Sequence, residues 1–256
     1  MGGQVRAPVV VGVDGSKDAE AARNYAAWEA WCRRRPLRLV HGSVPSRMYG
    51  PAIAGAEDVA PNAETMVRDS AAAVRQRYPD VDVTATVITG SPAGVLIEES
   101  RAAAVMVVGS RGLGRFVALL AGSVSTQVAT YSRSPVIVVR SPSWVPSPDG
   151  EANDVVVGVD GSSGGASALG FAFEETAARG GDLIAVYAWQ ELPGDNLDPS
   201  NRQLDLQEAQ AEADRLLAEA LAGWQSKYPD LNVRRRTVHS YHPVPTLIEE
   251  ARQAAL

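Results

Sequence analysis

The sequence predicts two tandem α/β domains, each an open parallel sheet with helices on both faces, the second copy lacking its last two strands. Three observations carry this. Short β-branched runs alternate with helical stretches. A set of motifs recurs in the same order in the two halves of the chain. The second series stops before its counterpart of the fourth strand is complete.

Residues 9–13 are a continuous valine-rich run, the pattern of a strand buried on both faces. Residues 16–31 carry alanines and aromatics at helical spacing, with Ser16 placed as the N-cap. Residues 37–41 read as a second strand. A variable region follows, then a helix over 63–77 and a third strand over 81–88. Ser91 caps a helix through residue 101, with Pro92 at its first position. A fourth strand over 104–108, a helix over 122–132 and a fifth strand over 136–139 complete the first copy. Strands separated by helices imply parallel pairing through right-handed crossovers.

The repeat is explicit. Val9-Val10-Val11-Gly12-Val13-Asp14-Gly15-Ser16 returns as Val155-Val156-Val157-Gly158-Val159-Asp160-Gly161-Ser162. Tyr78-Pro79-Asp80 returns as Tyr228-Pro229-Asp230, and the helix opening at Ser91-Pro92 returns at His242-Pro243. The expected division is a complete domain over 1–141, a Pro- and Ser-rich linker over 142–152, and a shortened second domain over 153–256. Leu256 falls near the counterpart of Val105, so nothing matches residues 106–140. The second half therefore reads as a truncated copy, with the flank of its first strand uncovered.

Composition sets limits on function. The 256 residues are 45% hydrophobic and 21% charged, with a net charge of -6. That balance argues against a nucleic-acid partner, which needs a concentrated basic face. The one basic cluster, Arg33-Arg34-Arg35, reads as a solvated helix end. The one cysteine, Cys32, lies among Trp28, Trp31 and Arg33 and reads as a packing residue without a disulfide partner. No apolar run approaches the ~20 residues of a membrane span, and no signal peptide is visible. A cytoplasmic protein is the expectation.

The chemistry concentrates in Val107-Val108-Gly109-Ser110-Arg111-Gly112-Leu113-Gly114-Arg115, continuing to Gly122-Ser123-Val124-Ser125. This segment leaves the carboxyl end of a buried strand, where open α/β sheets bind ligands. Gly109, Gly112 and Gly114 let backbone amides approach an anion. Ser123 stands at a helix start, whose free amides favour phosphate. Arg111 and Arg115 add charge or point into water. It is neither a Walker A loop nor a dinucleotide fingerprint, and a glycine-rich turn without ligand fits the same residues. Asp14, at the end of the first strand, suits an adenine amino group or a ribose hydroxyl, and equally a helix cap.

The spacing Gly109-x2-Gly112-x9-Gly122-Ser123 resembles the signature of ATP-binding universal stress proteins. The Val11-to-Ser16 opening, Leu39-Val40-His41-Gly42 and Ser134-Pro135-Val136-Ile137-Val138-Val139 resemble that family too, and the tandem order resembles its two-domain actinobacterial members. The resemblance implies Rossmann-like sheets of strand order 3-2-1-4-5. It implies that Asp14 and the backbone near Gly42 contact adenine, with Gly12 lining the pocket. Gly109 and Gly112 wrap the ribose and phosphates, and Gly122, Ser123, Val124 and Ser125 hold the phosphates. The cofactor implied is ATP with Mg²⁺, which bridges phosphates with few protein ligands. The assembly implied is a homodimer, and the role is stress regulation. The second copy keeps Gly158 and Asp160, has Ala188 at the place of Gly42, and lacks every phosphate-loop residue.

Two other classes stay open. One is a nucleotide-free scaffold or chaperone-like protein acting through its dimer surface. The other is an enzyme, such as an ATP pyrophosphatase. Ser162-Ser163-Gly164-Gly165 resembles the start of a pyrophosphate loop but lacks its Asp-Ser end, and reads as a helix N-terminus. His41, His239 and His242 form no metal-spaced cluster, and His41 reads as a packed or solvent-facing residue. No residue qualifies as a catalyst, so a non-enzymatic regulator is the expectation.

Overall fold

The computed structural model describes residues 6–44, 59–110, 122–140, 154–190 and 202–251. The chain divides into two compact units, one ending at Pro146 and the other beginning at Ser147. The proposed linker, 142–152, lies wholly outside the described residues.

The first unit runs β1 (Val9–Gly12), α1 (Lys17–Cys32), β2 (Leu37–Ser43), α2 (Val59–Arg77), β3 (Val83–Thr89), α3 (Pro92–Glu99), β4 (Val105–Gly109), α4 (Ser123–Tyr131) and β5 (Val136–Val139). Its five strands lie in the order β3-β2-β1-β4-β5, every pair parallel. The order reverses between β1 and β4, where Val9 faces Val105 and Val11 faces Val107. Val9, Val10 and Val11 are fully buried, as a strand covered on both faces must be.

Local sequence explains the boundaries. Ser16 caps α1 by accepting from the Ala19 amide, and Ser91 caps α3 by accepting from the Gly94 amide. At the end of α1, Arg34 takes the left-handed conformation (φ 51°). The Arg35 amide then reaches back to the Ala30 carbonyl and the Arg34 amide to Trp31, a Schellman closure. Pro36 cannot continue the helix. The arginine cluster is only in part the solvated helix end expected: Arg34 is exposed, and its two neighbours turn back onto the protein. Arg33 pairs with the buried Glu29 four residues earlier, and Arg35 donates to the Ala7 carbonyl. Glu29 sits in an apolar helix face, so a cation must fold back onto it.

The second unit runs β6 (Val155–Gly158), α5 (Ser163–Arg179), β7 (Leu183–Trp189), α6 (Arg202–Lys227), β8 (Val233–His239) and α7 (Pro243–Glu250). Among the described residues, three parallel strands form the sheet β6-β7-β8, with β6 at its edge where β1 is central in the first. Its core packs Val155, Val157 and Leu183 of the sheet against Phe173, Leu217 and Leu221 of the helices. Phe173 stacks on Trp224 and Tyr228. Ser162 caps α5 through the Gly165 amide, so Ser162-Ser163-Gly164-Gly165 is a helix start.

Candidate nucleotide site at the carboxyl ends of strands one and four

Asp14 lies two residues past the end of β1. Its Oδ1 accepts the Ser16 amide at 2.9 Å, and Asp160 does the same for Ser162. Gly15 and Gly161 both stand at left-handed φ, +78° and +74°, which closes each turn. The Asp-Gly-Ser motif is therefore a turn and helix start in both copies. At Asp160, hydrogen bonds from the Ser162 side chain and amide hold the carboxyl below its usual range.

The glycines near the site make room for backbone and helices. A side chain at Gly42 would meet the Pro92 Cα at 2.6 Å. One at Gly109 would meet the Asp18 carbonyl carbon and oxygen at 2.7 Å. Gly12 faces Leu96 of α3, and Gly158 faces Leu247 of α7 in the same way. The sequence left this packing role unread, because it depends on which helix crosses which strand. His41 donates Nδ1–H to the Val13 carbonyl at 2.7 Å, tying β2 to the turn after β1.

Ser110 is buried at the end of β4. Its Oγ donates to Asp18 Oδ2 at 2.8 Å. Its carbonyl accepts the Gly122 amide at 2.6 Å and the Ser125 hydroxyl at 3.2 Å. Arg111, Gly112, Gly114 and Arg115 lie outside the described residues. At the far end, Gly122 is the N-cap of α4 and supplies no side-chain hydrogen bond. Helices α1, α3 and α5 each have a serine there. The first turn of α4 thus presents backbone amides and the positive end of its dipole, with Ser123 exposed beside them. Val124 packs its side chain toward the α3 core, and Ser125 is buried.

Among the described residues, no His, Cys, Asp or Glu cluster could hold a metal ion, and no helix is long and apolar enough to cross a membrane. A cleft of about 310 Å³ lies between α1 and α2, lined by Gly15, Glu20, Arg23, Met66 and Asp69 among others. It is on the sheet face opposite α3.

The fold defines a tandem α/β protein whose first sheet reverses its strand order between β1 and β4. The profile of the universal stress protein family matches residues 6–140 and 152–256. A universal stress protein of Mycolicibacterium smegmatis is 36% identical over 97% of this chain and 84% of its own length. Universal stress protein Rv2005c of Mycobacterium tuberculosis is also 36% identical, with the same coverage. The crystal structure of a universal stress protein from Archaeoglobus fulgidus superposes with a TM-score of 0.60 over 95% of this chain and 82% of that one, at 15% identity. The chain belongs to the universal stress protein family.

Proposed function

We propose that the first unit binds ATP with Mg²⁺ and that the protein acts as a nucleotide-dependent regulator of a stress response, as a homodimer. The observation that carries this reading is the start of α4. It has no side-chain cap, it lies at the carboxyl end of a central strand, and it is tied there through Ser110. Such a helix start is a site for phosphate. In this reading Asp14 and the backbone at Gly42 face the adenine, and Gly109 and Gly112 follow the ribose and phosphates. The exposed Ser123 hydroxyl and the amides from Ser123 to Ser125 hold the phosphate end. The Ser110 and Ser125 hydroxyls are engaged within the protein and serve the frame. Among the described residues the second unit shows no counterpart of this helix start, so the reading concerns the first unit.

The test is the nucleotide content of the purified chain after denaturation, followed by titration with Mg·ATP. A single nucleotide per chain, with binding lost in Asp14→Ala and Gly112→Ala, is the expected result. No nucleotide and no binding on titration overturns the reading in favour of a nucleotide-free scaffold. Occupancy of both units contradicts the assignment to the first alone.

A further inference from the structure

We infer that Asp18 is a positioning residue for the phosphate end of the site: through Ser110 it sets where α4 begins. Asp18 is not part of the glycine-and-serine motif, and it lies far from it in sequence. The absence of a side chain at Gly109 lets the α1 backbone at Asp18 approach the end of β4 to 2.7 Å of where a Cβ would stand. That approach brings the Asp18 carboxylate to 2.8 Å from Ser110 Oγ. The Ser110 carbonyl in turn holds the Gly122 amide and the Ser125 hydroxyl. The residue that follows β4 therefore joins the first turn of α1 to the first turn of α4. A hydrogen bond from a buried hydroxyl to a carboxylate is among the stronger kinds.

The second unit isolates this role from helix capping. It repeats Asp14 and Ser16 as Asp160 and Ser162, with the same turn and cap. At the place of Asp18 it has Gly164, where a side chain would meet, among the described residues, only Ser162 Oγ, at 3.6 Å. Space does not demand glycine there.

The inference rests on the nucleotide reading above, so its test carries two readouts. Mg·ATP affinity is measured for the intact chain and for Asp18→Ala, Asp18→Asn, Ser110→Ala and the Asp18→Ala/Ser110→Ala pair. Amide hydrogen exchange at Gly122 is measured in the same proteins without nucleotide. Asp18→Ala is expected to weaken binding about tenfold, the loss of one hydrogen bond to a charged group. Asp18→Asn keeps an acceptor oxygen and retains most of the affinity. The double variant loses no more than either single one, because all act through the same bond. If Asp18→Asn falls as far as Asp18→Ala, helix-end charge is the cause and the inference fails. It also fails if Asp18→Ala binds like the parent. If the parent binds no nucleotide, the functional reading falls, and exchange decides the clasp. About tenfold faster exchange at Gly122 in Asp18→Ala than in Asp18→Asn upholds it, and equal rates overturn it.

Discussion

Helices α3 and α7 occupy the same place in the two copies and are buried differently. Both lay a leucine, Leu96 or Leu247, against a strand glycine at closely similar distance. Yet α3 buries Ala93, Val95 and Leu96, whereas no residue of α7 is buried. Val244 and Ile248 are 66% and 52% exposed. The difference is the neighbour. Helix α3 shares its core with Val124 and Val128 of α4 and with β5, and no described helix stands beside α7 in that way. A local glycine–leucine fit places a crossover helix, but burial needs a second helix on the same face.

The largest effect is expected where the two copies share a feature and differ in water access. Each first helix holds a glutamate–arginine pair one turn apart, Glu29–Arg33 and Glu175–Arg179. The Arg179 and Glu175 side chains are each 1% exposed, and Arg33 is 16% exposed. Glu175→Ala leaves a guanidinium with nowhere to go and is expected to cost about 3–5 kcal/mol. In Glu29→Ala, Arg33 can reach water, and the cost is about 2 kcal/mol. Urea unfolding followed by hydrogen exchange in peptides from each unit measures both. Equal losses would mean that the exposure of Arg33 does not matter.

These pairs also show where sequence reading ran out. A glutamate within an alanine-rich apolar face, with arginine four residues on and the same pattern in the second copy, was a visible signal. The expectation that charge runs are solvated hides it at Arg33. The alternation of strands and helices, the caps at Ser16 and Ser91, and the pole of the sheet that carries the glycines were legible, since periodicity and caps are local, whereas the strand order followed from the family resemblance. The roles of Gly42 and Gly109 were not. Each depends on a backbone that approaches from far along the chain. The link from Asp18 to Ser110 spans 92 residues and left no spacing to find.

Gly42 and Ala188 sharpen the comparison further. They occupy equivalent places in β2 and β7, but only Gly42 lies under the start of a buried helix. A methyl group there would stand 2.6 Å from Pro92 Cα, and backbone cannot swing aside. Gly42→Ala is expected to cost about 1–3 kcal/mol and to loosen α3. Ala188 already carries that methyl group, so Ala188→Gly costs about 0.5–1 kcal/mol through strand entropy alone. Thermal unfolding with exchange at α3 and α7 separates the two. A Gly42→Ala protein as stable as its parent would show that α3 shifts as freely as α7.

The smallest effect concerns the ends of the first helices, where the two copies solve one problem with different residues. Both α1 and α5 finish on a left-handed residue, Arg34 at φ 51° and Gly180 at φ 71°. An L side chain in that conformation costs roughly 1–2 kcal/mol, and glycine escapes most of it. Part of the gain is returned because glycine has more freedom to lose on folding. Arg34→Gly is therefore expected to stabilise the first unit by about 0.5–1 kcal/mol, and Gly180→Arg to destabilise the second by a similar amount. The Arg6 guanidinium donates to the Arg34 carbonyl, a backbone contact that survives the change. Denaturation midpoints of the two variants should move in opposite directions. Movement of both in the same direction would mean that the Arg34 side chain contributes contacts that outweigh its backbone strain.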